Sequence, residues 1–391
     1  TIYFGFRSGC LVVLPLACKE LLREELQDAE YSPLYQLPFA VWFTMDIILA
    51  VPNAIFMRRR GRQPGFMLGA CGSSVGSLCV FLVLRFVNRA RLAFVLLNAS
   101  IAVTSSIGMC EFVRFAAAEA CSDPERKSVV VSRVVSGGAI MSMVGPFSAS
   151  LASSLGTGGS MHGYSYFFLG ALVFSVVAMI AAASLRLPPV DGAASGAETP
   201  PPSARLHQIL RRPAVVSAIL AQVAVQFAMI APMSAVPLRM EGHFPGMHAA
   251  DFRISGCVVG HIFCMFAPSF LTGELIKRLG LIPVMSMGLI FQASCMVVAI
   301  TGSALWDYYF ALGLLGVGWN FAFVASTMVL LDSHTAAERT KVTSTNETIR
   351  FAANAVAVLV SSTMPWAHLN LVCLGLVVLV ALVLIMRWAK R

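Results

Sequence analysis

Two stretches decide how this chain is read: AIFMRRRGR, Ala54 to Arg62, and GELIKRLGL, Gly273 to Leu281. In register, Phe56 meets Leu275, Arg58 meets Lys277, Arg59 meets Arg278, and Gly61 meets Gly280 at an offset of 219 residues. Each stretch closes a long apolar run, so basic charge followed by glycine recurs at one point of a repeated plan. A second echo joins DPERKS (Asp123–Ser128) to AAERTK (Ala336–Lys341), with Glu125 on Glu338 and Arg126 on Arg339 at an offset of 213. Two matches in the same order at nearly the same offset point to an internal duplication.

The composition says what is duplicated. Of 391 residues, 58% are hydrophobic and 12% charged, whereas soluble domains are roughly 45–50% apolar and about 25% charged. A mean hydropathy of +0.79 fits a polytopic membrane protein whose spans need about 20 mostly apolar residues each. Twelve segments qualify: Ile2–Cys18, Leu37–Met57, Met67–Leu84, Leu92–Phe112, Val129–Leu151, Tyr166–Leu185, Ala214–Leu238, Ile254–Leu271, Val284–Ile300, Tyr308–Leu331, Ile349–Met364 and Leu369–Met386. The expected fold is therefore all-α, with twelve transmembrane helices in two six-helix bundles. The chain opens on Thr1 and carries Arg7 in a short first span, which reads as a trimmed N-terminus. The cysteines lie almost wholly within spans and form no CxxC pair, so neither a disulfide framework nor a metal site is expected.

A net charge of +9 would suit a nucleic-acid partner, but its placement does not. Alternate connections plus the two termini collect eighteen Lys and Arg residues, and the opposite side collects seven. That asymmetry follows the positive-inside rule with both termini cytoplasmic. Arg85, Arg89 and Arg91 run against it. The protein is read as multi-pass, in the plasma membrane rather than an organelle, monomeric, surrounded by lipid and without nucleic acid. Between the halves runs RLPPVDGAASGAETPPPSARLHQILRRP, Arg186 to Pro213, whose Pro, Gly and Ser content marks a flexible linker. The division is thus a bundle over 1–185, a cytoplasmic linker over 186–213 and a bundle over 214–391. Two repeated bundles with a site between them near the bilayer midplane is the plan of many secondary transporters.

The residues also resemble a known family. AIFMRRRGR and GELIKRLGL are similar to the two loop signatures of the major facilitator superfamily, roughly G-x-L-x-D-R-x-G-R-R, which follow the second and eighth helices. GGAIMSMVGP (Gly137–Pro146) resembles that superfamily's Gly/Pro-rich fifth helix. VRFAAAE (Val113–Glu119), HIFCMFAPSFLTGELIKRLG (His261–Gly280) and LLGVGWNF (Leu314–Phe321) resemble a largely uncharacterised subgroup best known from bacteria. The resemblance implies the major facilitator fold and solute transport. This chain departs from the pattern where the signature aspartates are replaced by Arg58 and Lys277, and where Asn98 holds the place of the helix 4 arginine of proton-driven members. The last departure argues against proton antiport.

Candidate functional residues fall into three groups. The loop motifs Arg58, Arg59, Gly61 and Arg62, with Lys277, Arg278 and Gly280, are gating candidates: glycine accepts positive φ, and cations suit the negative ends of helices 2 and 8. The alternative for these cations is a topology signal with lipid-headgroup contact. Asp46 in the second span is an ionisable group at a depth where such groups face a cavity or partner, which makes it a candidate for proton coupling or substrate binding against a buried structural hydrogen bond. His261 in the eighth span is a weaker candidate, since a lone histidine more often packs. Trp319 and Asn320, with Gln222 and Gln226 one turn apart in the seventh span, are candidates to face a solute. Glu111 with Arg114, and Glu347 with Arg350, are three residues apart and share a helix face, so they read as structural or gating pairs at cytoplasmic helix ends.

The function that follows is secondary active or facilitative transport of a small solute by alternating access, with uptake of a polar metabolite or vitamin ahead of efflux by proton antiport. A non-transporting receptor of the same architecture is the other alternative. Protons are a second possible partner. No phosphate-binding loop G-x-x-x-x-G-K-[ST] occurs, nor an HExxH pair, so no ATP use, enzyme activity, catalytic residue or cofactor is expected.

Overall fold

The computed structural model describes residues 2–23, 25–26, 32–121, 123–137, 139, 144–148, 151–152, 160–187, 204–247 and 251–388, among which there is no strand. In chain order the helices are α1 (Ile2–Leu21), α2 (Leu37–Arg60), α3 (Arg62–Phe86), α4 (Ala90–Thr104), α5 (Val113–Ala120), α6 (Lys127–Ser136) and α7 (Ser160–Ala183) in the first half. The short α8 (Leu206–Ile209) precedes the second half: α9 (Pro213–His243), α10 (Phe252–Phe266), α11 (Ser269–Leu279), α12 (Leu281–Thr301), α13 (Leu305–Leu331), α14 (Arg339–Ser361) and α15 (Trp366–Trp388). Among the described residues, nine helical segments are long and apolar enough to cross a membrane.

The internal repeat is visible in the backbone. Gly61 (φ 97°, ψ 163°) ends α2 and Gly280 (φ 90°, ψ 169°) ends α11. Each accepts no side chain without strain, because this region of positive φ with extended ψ is essentially glycine's alone. The Gly61 N–H donates to the Met57 carbonyl at 3.0 Å and the Gly280 N–H to that of Ile276 at 2.8 Å. In both copies the next helix starts at the following residue.

Two expected boundaries are corrected. The fourth span does not stop at Phe112: it runs from Ala90 to Ala120, with a 3-10 stretch over Ser105–Phe112 between α4 and α5. The eleventh begins at Arg339 rather than Ile349. Its first turns carry Thr343, Ser344, Asn346 and Glu347, all buried, so an apolar window cannot find a helix that spends its polar groups inside the protein. The eighth span is broken at Ala267–Pro268, where α10 gives way to α11, because proline lacks the N–H that a continuous helix needs. The linker lies largely outside the described residues, as do positions 138 and 140–143 of the Gly/Pro-rich fifth span.

Packing assigns each helix an environment. α9 and α13 are buried over most of their apolar windows, whereas α7 and α15 are only 28% buried in theirs and present Val173, Ile180, Leu379 and Ile385 outward. Exposed apolar faces of that kind suit lipid. α14 packs along α2, and α9 packs against α13 and α14.

The two halves meet at both ends of the molecule. At the end bearing the glycine turns, Arg339 Nη1 lies 3.8 Å from Glu119 Oε1, and Ser128 Oγ donates to the Gly273 carbonyl at 3.4 Å. At the opposite end Lys19 Nζ donates to Glu241 Oε2 at 2.7 Å, Gln36 Nε2 donates to the Ser234 carbonyl at 2.9 Å, and Phe147 stacks on Phe252 with centroids 5.1 Å apart. Arg91 pairs with Glu25 at 2.7 Å, which puts the first and third connections on one side, as an alternating topology requires.

Candidate functional site

Between the two sets of closing contacts lies a cavity of about 80 Å3, walled by α5, α6, α9, α10, α13, α14 and the 3-10 stretch. Its apolar surface comes from Met229, Ile230, Met233, Ile262, Met265 and Phe266. On α13, Trp319 and Phe323 are one turn apart, and their rings stack with centroids 4.4 Å apart at 15°. Phe266 of α10 meets Trp319 edge-on at 5.8 Å. The indole N–H donates to Gln226 Oε1 of α9 at 3.0 Å, which fixes the plane of the aromatic wall. Two of the expected solute-facing residues, Trp319 and Gln226, therefore sit on this cavity together.

The charged wall is built from both halves. Glu111 lies near the end of the 3-10 stretch and Arg114 in the first turn of α5; Glu347 and Arg350 come from α14. All four side chains are buried. Arg114 Nη2 donates to Glu347 Oε1 across the halves. Arg350 donates to Glu347 Oε2 through Nε at 3.0 Å and Nη2 at 2.5 Å, and its Nη2 also reaches Glu111 Oε2 at 3.3 Å. The Glu347–Arg350 pair predicted from three-residue spacing forms, but Glu347 is shared with Arg114 of the other half. Glu111, Arg114 and Arg350 wall the central cavity, with Glu347 bonded behind them, whereas places at helix ends were expected. With two carboxylates and two guanidinium groups the cluster is charge-balanced, which burial demands. Arg114 is also held between rings, its guanidinium carbon 4.7 Å from the Phe115 centroid and 4.4 Å from that of Phe323.

The remaining candidates take other places. Gln222 Oε1 accepts from Asn346 Nδ2 at 3.0 Å, and the same amide donates to Glu347 Oε1 at 3.0 Å, so Gln222 supports the charged cluster from behind. Asn320 faces away from the cavity into the break of the eighth span, where its Nδ2 donates to the Met265 carbonyl at 2.6 Å and to Ser269 Oγ while its Oδ1 accepts from Thr272 at 2.6 Å. It thereby ties the last turn of α10 to the first turn of α11. His261 Nδ1 bonds the Leu312 carbonyl at 2.8 Å between α10 and α13. Asp46 is buried within the first half against the bare backbone of Gly108, where a methyl group would lie 2.2 Å from Oδ1. None of these four lines the cavity.

Of the loop cations, Arg62 is buried and grips Glu119 through Nη2 at 2.6 Å and Nε at 3.2 Å. Arg58, Arg59, Lys277 and Arg278 are exposed in the last turns of α2 and α11. Nearby, Arg212 holds Glu338 with two 2.7 Å hydrogen bonds, and those bonds keep the Glu338 carboxyl at about 2. Burial raises Asp332, with Lys127 opposing it.

Sequence reasoning missed Asn354, Phe266 and Phe323. Asn354 follows Arg350 by four residues on α14, so it shares the face of Glu347 and Arg350. That polar line was the available signal, and it was hidden by placing the span's start at Ile349.

Comparison with known proteins agrees with this architecture. The sequence model of the Major Facilitator Superfamily matches residues 21–358. The chain is 31% identical over 365 residues to the riboflavin transporter RfnT of Brucella anthropi, covering 90% of this chain and 86% of that protein. Among solved structures, a bacterial homologue of the iron transporter ferroportin in the outward-facing state superposes with a TM-score of 0.69 at 17% identity, covering 100% of this chain and 98% of the other. The proton:xylose symporter XylE does so with a TM-score of 0.69 at 13% identity, covering 97% and 94%. The duplicated glycine turns, the helix order and the cavity between two halves thus belong to a secondary transporter of a small solute, and the chain is a member of the major facilitator superfamily.

Proposed function

We propose that this transporter carries riboflavin, or a closely similar planar vitamin, inward across the plasma membrane. The observation that carries the reading is the cavity wall. A stacked Trp319–Phe323 face lies in one lining with the charged groups Glu111, Arg114 and Arg350, which suits a solute with an aromatic ring system and hydrogen-bonding groups. The relative named as a riboflavin transporter, at 31% identity, supports the same choice. Pockets that enclose drug-sized ligands occupy about 300–1,000 Å3, so a flavin requires the halves to separate from the closed arrangement. That separation is the movement alternating access supplies.

In this reading the bundles are the segments 1–185 and 214–391, joined by the 186–213 linker, with both termini cytoplasmic as the basic residues prefer. The end closed by Arg339 and Glu119 is then the cytoplasmic gate, and the end closed by Lys19 and Glu241 is the outer one. A monomer suffices for the cycle.

The test is uptake of radiolabelled riboflavin by proteoliposomes, with and without an imposed pH gradient. Saturable accumulation or counterflow is expected, and Trp319→Ala is expected to reduce it about tenfold or more, since aromatic stacking supports affinity beyond area burial. Absence of flavin movement in either condition, from protein shown to be folded, sinks the proposal.

A further inference from the structure

The buried polar atoms of the cavity are not all satisfied, and the pattern of what is left open is specific. Arg114 lines the cavity and is 3% exposed. Its Nη2 is spent on Glu347, whereas its Nε and Nη1 have no acceptor among the described residues. Asn354, also on the cavity wall and 1% exposed, has an Oδ1 that accepts no hydrogen bond from the described residues. Orphaned donors and acceptors at such burial carry the full cost of lost hydration, so a native protein keeps them where something else completes them. The neighbouring groups do not share this state: Gln226 on the wall already accepts from Trp319, and Glu347 behind the wall is taken by Arg114, Arg350 and Asn346.

The charge of the surroundings limits what can complete them. Two carboxylates and two guanidinium groups already balance, so an added anion would leave net charge in a buried site, which is costly. A neutral group bearing carbonyl oxygens adds none. Arginine offers its remaining N–H groups in a planar fork, and an amide oxygen beside it offers an acceptor; the side-chain amide can also be turned to present its NH2. The geometry of the fork fits acceptors that lie in one plane.

We propose that Arg114 and Asn354 form the reading head for a neutral imide edge, O=C–NH–C=O, on a planar heterocycle. One of the open Arg114 N–H groups, on Nε or Nη1, donates to a ring carbonyl, and Asn354 accepts from the ring N–H, while Trp319 and Phe323 cover the ring system. The inference rests on the flavin reading above, because the riboflavin ring carries such an edge. It adds which two residues select it and which chemical feature they select.

The experiment is ligand titration of purified protein in detergent, followed by flavin fluorescence and by competition. The probes are riboflavin, N3-methylriboflavin (imide N–H removed), lumichrome (dione retained, side chain absent) and phenazine (planar, without carbonyls). Wild type is expected to prefer riboflavin over its N3-methyl derivative, and lumichrome over phenazine, each by roughly tenfold or more, the scale of one hydrogen bond to a buried or charged partner. Asn354→Ala should bind riboflavin and N3-methylriboflavin alike. Arg114→Lys keeps a cation for Glu347 but not the fork, and should bind lumichrome no better than phenazine. The paired variant Arg114→Gln/Glu347→Gln keeps the charge balance and should behave as Arg114→Lys does. If the variants weaken both members of a ligand pair equally, the two residues act only on structure, and the inference falls while the flavin reading survives. If wild type ignores the N3-methyl group and the dione but still binds riboflavin, the inference falls in the same way. If wild type binds none of the flavins, both fall together.

Discussion

The two glycine turns at one end of the molecule have nearly the same backbone and different chemistry. Gly61 and Gly280 differ by only a few degrees in φ and ψ, yet the residue after Gly61 is Arg62 and the residue after Gly280 is Leu281. Arg62 is buried on Glu119, and Glu119 is also approached by Arg339 of the other half. Beside the second turn, Arg278 makes an exposed pair with Glu274 at 3.2 Å. The duplication has preserved the turn, which is a steric requirement, and left the charges free to specialise. The first copy became a buried tie that reaches across to the other half, and the second kept surface charge.

Glu119→Gln is the strongest way to break this comparison. It strands the Arg62 guanidinium in a buried place, and loss of one partner of a buried pair costs roughly 3 kcal/mol. A marked fall in thermal stability is expected, together with increased labelling of a cysteine introduced at this end, as the tie to Arg339 is lost. If Glu119→Gln behaves like Arg278→Gln, the asymmetry between the two turns has no energetic meaning.

Gly61→Ala and Gly280→Ala come next. Backbone strain at such positions costs about 1–3 kcal/mol, and the near-identical dihedral angles predict nearly equal losses in thermal stability. Unequal losses would show that the turns differ in more than their charges.

A pH titration sharpens the electrostatic side. Arg212 holds Glu338 at about 2, below its ordinary 4.5. A depressed carboxyl contributes stability that is fully present above the unfolded value and is lost as pH falls through the folded one. This contribution should therefore stay constant from pH 7 to 5 in wild type and decline only on acidification from about 4.5 toward 2. In Arg212→Gln the contribution is already absent at pH 7, and a stability curve unchanged by that substitution would count against the pair. The smallest effect is expected from Lys277→Gln and Arg278→Gln, whose exposed charges are worth little to folding.

How much of this was legible in the sequence depended on the range of the interactions involved. The turns could be read because glycine at positive φ and cations in a last helical turn are local requirements. The second echo could be read too, although only the fold shows that its Arg339 approaches Glu119. Partner choice could not be read. Glu111, Arg114, Glu347 and Arg350 looked like two pairs each within one helix, and the structure makes Glu347 the meeting point of arginines from both halves. Asn320 beside Trp319 looked like a solute-binding dipeptide, yet adjacent residues on a helix point about 100° apart, and only Trp319 reaches the cavity. The start of α14 was hidden because its polar residues face inward, against the rule that made the other spans visible.

The sequence by itself determined the membrane setting, the duplication and the positions of the tight turns, because hydropathy, repeat spacing and glycine's φ freedom act over a few residues or over averages of many. Only the tertiary structure decided which charges meet, where the cavity lies and which of its polar atoms remain open. Those depend on helices more than two hundred residues apart being packed so closely that each buried donor has a definite acceptor or none.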